Sequence, residues 1–255
     1  METTMQPVER ALDVALIVMH NGGSTVMADR TFQNILKGYK QSGASATWRT
    51  DFVAAIRAAE GHSATILRPV GPFGVNLLRV SEAAVLAERV AKGEIDPAAI
   101  VSEVERINAL APPCNRWVLI AVAACTAAFF SKIPGGDWGA FGIAFVAAGC
   151  GQFLRSLLQA RKLAVAPVTL ICGVLSACIA GVGLRLGFSE TPPATAIASV
   201  IYMVPGLPLI NGFVDLVSHK YLFVGLGRIA NAAFLFMVLA VAIALAIALA
   251  YAVVL

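Results

Sequence analysis

From Trp117 to its end the chain is a succession of long apolar stretches, and nothing else in it constrains the fold as strongly. They run over 117–133, 138–158, 163–186, 194–217 and 229–255. A helix needs about 20 apolar residues to cross about 30 Å of hydrocarbon, so these stretches are of membrane-spanning length. The first is short and relies on Trp117 at the interface and on Lys132 reaching back to water. Burying five such helices in a soluble core would require polar helices to wrap them, and the sequence leaves none over. Of the 255 residues, 58% are hydrophobic and 13% charged, against about 45–50% and about 25% in soluble domains. The expected fold is a membrane all-α protein of about five transmembrane helices, preceded by a small α+β domain. The boundary falls at Pro112-Pro113, giving a head over 1–111 and a membrane part over 112–255.

In the head, Leu12, Ala15, Leu16 and Met19 recur at helical spacing and predict an amphipathic helix from about Val8. Asn21-Gly22-Gly23-Ser24 ends it and caps a second helix over about 25–41. A Gly-Gly-Ser-Thr loop before a helix can cradle phosphate through backbone N–H groups. This one lacks the lysine and the glycine spacing of a P-loop. Two or three short strands are expected within 44–70 and a turn at Gly71-Pro72-Phe73-Gly74. Helices follow over about 77–91 and 97–109, the latter opened by Asp96-Pro97.

Charge separates the two parts. Up to Arg116, twelve basic residues balance twelve acidic ones. Beyond it stand Lys132, Arg155, Arg161, Lys162, Arg185, Lys220 and Arg228 against Asp137, Glu190 and Asp215, which accounts for the net charge of +4. The excess flanks apolar spans instead of forming a stripe for phosphates, so nucleic acid is not an expected partner. With the head inside, one face of the membrane receives Arg116, Arg155, Arg161, Lys162, Lys220 and Arg228 and the other only Lys132 and Arg185. That asymmetry predicts a cytoplasmic head, and an odd number of spans then puts the C-terminus outside. The first ten residues lack the basic and apolar regions of a secretory signal, so insertion is expected to be driven by the later spans.

Little points to an enzyme. His20, His62 and His219 lie far apart, and the five cysteines have no metal spacing and read as small apolar packing residues. No nucleophile–base motif or paired carboxylates stand out, so neither a catalytic residue, a metal nor a cofactor is expected.

The fourth apolar stretch is the unusual one. Pro205, Gly206 and Pro208 fall within four residues, and a regular helix cannot continue through them. In lipid, freed backbone groups are tolerated only where protein or water meets them. Transporters use such breaks to bind solutes and coupling ions. Asn211 and Asp215, one turn apart, share a helical face. Asp215 is the single acid within the apolar stretches and hence a candidate for a substrate ammonium or a proton. The alternative is that it pairs with Lys220 or Arg228 near the interface, the prolines being a packing kink.

Read together, Val204-Pro205-Gly206-Leu207-Pro208-Leu209-Ile210-Asn211, Asp215 and Arg228 resemble the N-terminal half of the threonine/serine exporter family. Asn115-Arg116-Trp117, Gly135-Gly136-Asp137-Trp138 and Arg155 to Arg161 add to the likeness. The match is to the form in which two short chains replace one long one. In the head, the run Gly22 to Arg30 departs from the family's Gly-Ala-(Glu)-x-x-Arg-Val-Glu. The resemblance implies a subunit of a secondary exporter in a bacterial inner membrane, working with a second, smaller membrane subunit in a homo- or hetero-oligomer. It implies small polar solutes: threonine or serine, or dicarboxylates such as succinate. Asp215 and Asn211 would bind solute or ion, Pro205, Gly206 and Pro208 would supply the broken backbone, and Arg228 would balance Asp215 or meet a carboxylate. The competing readings are a membrane-anchored enzyme and a sensory subunit with its activity in the head.

Overall fold

The computed structural model describes residues 2–59, 62–71, 74–161 and 163–252. They fall into two compact units, Met1–Pro113 with Gly206–Asn231, and Cys114–Pro205 with Ala232–Leu255. The segment Gly206–Asn231, apolar by sequence, is thus part of the unit that contains the polar head.

The head forms α1 (Glu2–His20), α2 (Thr25–Gly38), strands β1 (Ala44–Trp48), β2 (Phe52–Ala59) and β3 (His62–Pro69), then α3 (Leu77–Ala91) and α4 (Ile100–Ala109). The strands and the last three of these helices lie close to where periodicity and turn residues place them, while α1 begins six residues before the expected Val8. A short 3-10 turn, Pro97–Ala99, leads into α4, with Asp96 accepting from the Ala98 N–H. The expected turn at Gly71 to Gly74 falls partly on Pro72 and Phe73, outside the described residues. Helix α1 is amphipathic, as its periodicity predicts. Glu9, Arg10 and Asp13 form a partly exposed polar stripe, while Val8, Ala11, Leu12, Val14, Ala15 and Val18 are fully enclosed against α2, α3, α4 and β2. The sheet is an antiparallel meander β1-β2-β3, with Trp48 opposite Val53 and Val53 opposite Arg68. Trp48, Val53 and Ala55 point inward, and Trp48 meets the edge of Phe32.

The second unit contains α5 (Arg116–Ser131), α6 (Trp138–Ala160), α7 (Val165–Arg185) and α8 (Pro192–Val200), the last extended by a 3-10 turn to Met203. After a break at Val204-Pro205 come α9 (Gly206–Val217) and α10 (Leu222–Ala252). Helix α10 begins seven residues before the predicted 229, because Gly225 and Gly227 do not interrupt it. Among the described residues, three helices are long and apolar enough to cross a membrane, or four if α8 and α9 count as one broken span. Helix α5 has 16 residues, about 24 Å at 1.5 Å each, which falls short of the hydrocarbon thickness. The number of spans the structure supports is therefore three to four instead of the expected five.

Small residues let these helices approach. Ala124, Ala127 and Ala128 of α5 and Ala140, Ala144, Ala147 and Ala148 of α6 are all buried. Some buried hydroxyls are satisfied locally, as where Thr195 and Ser199 donate to the carbonyls four residues earlier. Of the cysteines, Cys172 is buried as a packing residue, whereas Cys125 and Cys150 are exposed. Asp137 ties two connections together. It caps α6 through the Ala140 N–H and accepts from the Ser189 hydroxyl and the Glu190 N–H. These donors hold its carboxyl below the usual range.

Candidate solute site

The site grows from the start of α2. The first N–H groups of a helix have no partner within it and carry the positive end of the helix dipole. Ser24 caps the Met27 N–H, but α2 has no acid in its first turn. The missing negative charge comes from α9. Asp215 is fully buried, and its Oδ1 accepts from the N–H groups of Thr25 at 2.9 Å and Val26 at 3.4 Å. Its Oδ2 accepts from the Thr25 hydroxyl at 2.8 Å. One turn earlier on the same face, the Asn211 amide donates to the Gly22 carbonyl at 2.8 Å. Gly22 (φ +101°) sits in the left-handed region, and a Cβ there would crowd Leu207. The Gly-Gly-Ser-Thr loop therefore cradles an anion, and that anion is the protein's own carboxylate.

On its other side Asp215 faces Arg228 of α10, with Nη1 at 3.2 Å from Oδ2. The Arg228 side chain is 13% exposed, and its Nη1 makes no hydrogen bond. This guanidinium lines a cavity of about 400 Å³ together with Thr50, Pro208, Asn211, Gly227 and Asn231. Among the described lining residues it is the only charged one. Met19, Val70 and Val224 make the rest of the wall largely apolar. A single cation with the amides of Asn211 and Asn231 and the Thr50 hydroxyl on such a wall suits a small carboxylate, since arginine presents a fork of donors to such a group.

A second buried acid joins the same elements. Asp29 of α2 accepts from the Trp48 indole at 2.8 Å, and from Lys220 Nζ and the Tyr221 hydroxyl, each at 2.7 Å. Burial, together with donation to Asp29, pushes the Tyr221 phenol up to about 12. The hydrogen bond to Asp29 likewise raises the Lys220 ammonium, although Lys220 is largely exposed.

Of the residues singled out from sequence, Asp215, Asn211, Pro208 and Arg228 come together around the cavity and the start of α2. Gly206 opens α9 and Pro205 belongs to the other unit, so neither lines the cavity. Asp215 pairs with Arg228, and Lys220 pairs with Asp29. Sequence reasoning missed Thr25, Asp29, Thr50 and Asn231. It also gave Arg155 no role beyond a topology signal and part of the family likeness. In the second unit Arg155 donates to the Tyr202 carbonyl at 3.4 Å, a group left without a helical partner just before the break. The Tyr202 hydroxyl lies 3.0 Å from that of Ser176, which donates to the Ala147 carbonyl.

His20 lies behind the cavity wall. Its Nε2 accepts from the N–H of Gly71, a lining residue, at 2.8 Å. Burial holds the imidazole below its ordinary value, and an accepting Nε2 requires the neutral ring. Between the lowered folded value and the ordinary value of about 6.5, the unfolded chain binds the proton and the folded chain does not. Stability is therefore present above about pH 6.5 and falls as the medium is acidified through that value. Thermal unfolding of the detergent-solubilised protein at pH 7.5 and 5.5 is expected to show a larger acid loss for the parent than for His20→Gln. Equal losses would remove His20 from the account.

Comparison with known proteins agrees with this architecture. The family described as "Putative threonine/serine exporter" matches residues 9–250, and so takes in both units. The "Probable succinate transporter subunit YjjP" of Klebsiella aerogenes is 25% identical over 225 residues, 88% of this chain and 86% of that protein. The protein of the same name in Escherichia coli K12 is 24% identical over 225 residues, 88% of this chain and 87% of that one. The "Probable threonine/serine exporter" of Mycobacterium tuberculosis is 22% identical over 241 residues, 91% of this chain but 44% of that protein. No solved structure matches the chain. The chain belongs to the threonine/serine exporter family and is a multi-pass membrane transport protein.

Proposed function

We propose that this chain is one subunit of a secondary exporter that moves small carboxylates out of the cytoplasm, either dicarboxylates such as succinate or threonine/serine-type amino acids. The observation that carries the reading is Arg228, a nearly buried guanidinium on the wall of a mostly apolar cavity, held from behind by Asp215. A solute carboxylate takes the donors that Asp215 leaves, with Asn211 and Asn231 beside it. Asp215 itself is already enclosed by Thr25, Val26 and Arg228, so it orients Arg228 instead of receiving a substrate ammonium.

The second subunit is a smaller membrane protein resembling the family's C-terminal half. The support is that this chain covers 44% of the mycobacterial relative, while the bacterial relatives it covers almost wholly are named as subunits. The spans number five if α5 crosses with α6, α7, the α8/α9 pair and α10. Both ends of α5 carry interfacial anchors, Arg116 over Trp117 and Lys132 over Trp138. The head then lies in the cytoplasm of a bacterial cell and the C-terminus outside the inner membrane.

Export of labelled succinate, serine and threonine from cells making this chain with and without the second subunit tests the reading. Export above background is expected only with both, with a reporter after Leu255 outside and one in the 155–162 connection inside. Equal export by this chain alone, or a cytoplasmic C-terminus, would overturn the two-subunit arrangement or the five-span count respectively.

A further inference from the structure

The Arg228 cavity does not stand alone. A second cavity of about 440 Å³ is lined by Arg49, Thr50, Asp51, Phe223 and Val224, and shares Thr50 and Val224 with the first. A third, of about 240 Å³, continues from it past Arg49 and Phe223 to Trp48, Lys220 and Tyr221. The β1–β2 turn, Arg49 to Asp51, forms one wall of this series, and the first turns of α10 form the other. Where the second and third cavities adjoin, the Arg49 guanidinium lies over the Phe223 ring, 5.4 Å from the centroid. Thr50 lines both of the first two cavities and rests against Gly227, a lining residue of the Arg228 cavity. A Cβ on Gly227 would lie 2.8 Å from Thr50 Cγ2, so only bare backbone fits beneath that methyl group.

We propose that the Thr50–Gly227 contact is the gate of the Arg228 cavity, and that the Thr50 side chain sets how wide a solute may pass. The inference rests on reading that cavity as the solute site. A carboxylate enters along the Arg49 side, where the flanking charges are Arg49, Asp51 and the Asp29-paired Lys220, and reaches Arg228 by passing Thr50. Gly227 supplies the clearance because it has no side chain, and Thr50 takes up most of it. Both residues thus act as size selectors, distinct from Arg228, which recognises charge.

The test uses the complete two-subunit exporter and two pairs of labelled probes that differ by methyl groups, succinate with 2,2-dimethylsuccinate and serine with threonine. Thr50→Gly is expected to raise export of the wider member relative to the narrower by about tenfold in whichever pair is carried, the scale on which a pocket senses a methyl group. Gly227→Ala is expected to depress export of both members by about tenfold, and Gly227→Ala/Thr50→Gly to restore the narrower one. A structural role would rescue folding without moving the ratio within a pair. An unchanged ratio in Thr50→Gly, with export still lost in Arg228→Gln, overturns the gate and leaves the cavity standing. Normal export by Arg228→Gln overturns the cavity as the solute site, and the gate with it.

Discussion

Asp215→Asn is expected to destabilise the first unit by about 3–5 kcal/mol, the usual result of removing one partner from a buried ion pair. Export should fall to background. The amide is nearly the same size, and its oxygen can still accept from the Thr25 and Val26 N–H groups. The Thr25 hydroxyl can turn to accept where it had donated, since a hydroxyl does both. Arg228 has no such freedom. Its guanidinium has only donors, and at 13% exposure with Nη1 already lacking a hydrogen bond it is left as a buried, uncompensated charge. The orphaned cation, not the lost hydrogen bonds, is the main cost. Asp215→Asn/Arg228→Met should therefore recover much of the stability while export stays absent. Denaturant unfolding in detergent, with export normalised to inserted protein, separates the two effects. Unfolding like the parent's and near-normal export by Asp215→Asn would show the pair to be idle.

The parts of this fold that were legible from sequence are those determined within a few residues of themselves. Helix α3 is bounded by Asn76 and the Lys92-Gly93 turn, and its limits follow from local periodicity. The meander β1-β2-β3 likewise follows from alternation and closely spaced turns. What could not be read is which surface an apolar segment packs against. Hydropathy marks Gly206–Asn231 as apolar, and that is equally true of a segment in lipid and of one against the head. A related limit applies to α1, whose buried side is wider than the one apolar face that periodicity marks, because Val8, Ala11, Val14 and Val18 are enclosed too.

The candidate site was half legible. Asp215 and Asn211 stand out by their polarity in apolar surroundings, and Arg228 as a possible partner of Asp215 and through the family resemblance. Their partners were hidden, because Asp215 binds Thr25 across 190 positions and mainly through backbone N–H groups, which every residue but proline carries. One signal was available. A helix that begins Ser24-Thr25 with no acid in its first turn has an unmet demand for negative charge, and the apolar stretches contain a single acid that could meet it. Asp29, Lys220 and Tyr221 left no comparable trace, since a charged residue in a balanced head reads as surface.

Arg228→Lys is expected to weaken the apparent affinity for an exported carboxylate by about 10- to 100-fold, as charge-assisted hydrogen bonds are worth about 1.5–3 kcal/mol. The stability of the first unit should change much less than in Asp215→Asn. With lysine at 228 the carboxylate of Asp215 keeps the Thr25 and Val26 N–H groups and the Thr25 hydroxyl, so no buried charge is stranded. What is lost is shape. An ammonium is a compact point charge on a flexible stem, whereas the guanidinium fork can hold Asp215 on one edge and offer its remaining donors to the cavity. Arg228→Gln removes the charge as well and should abolish export, again without gross unfolding. The readout is the solute dependence of export at matched levels of inserted protein: a raised half-saturating concentration in Arg228→Lys at little-changed maximal rate marks loss of solute binding. If Arg228 serves only to neutralise Asp215, lysine would do so equally well, and Arg228→Lys would export with the parent's affinity. That outcome would move solute recognition away from this cavity and leave Asp215, Thr25 and Arg228 as the clasp that joins α9 and α10 to the head.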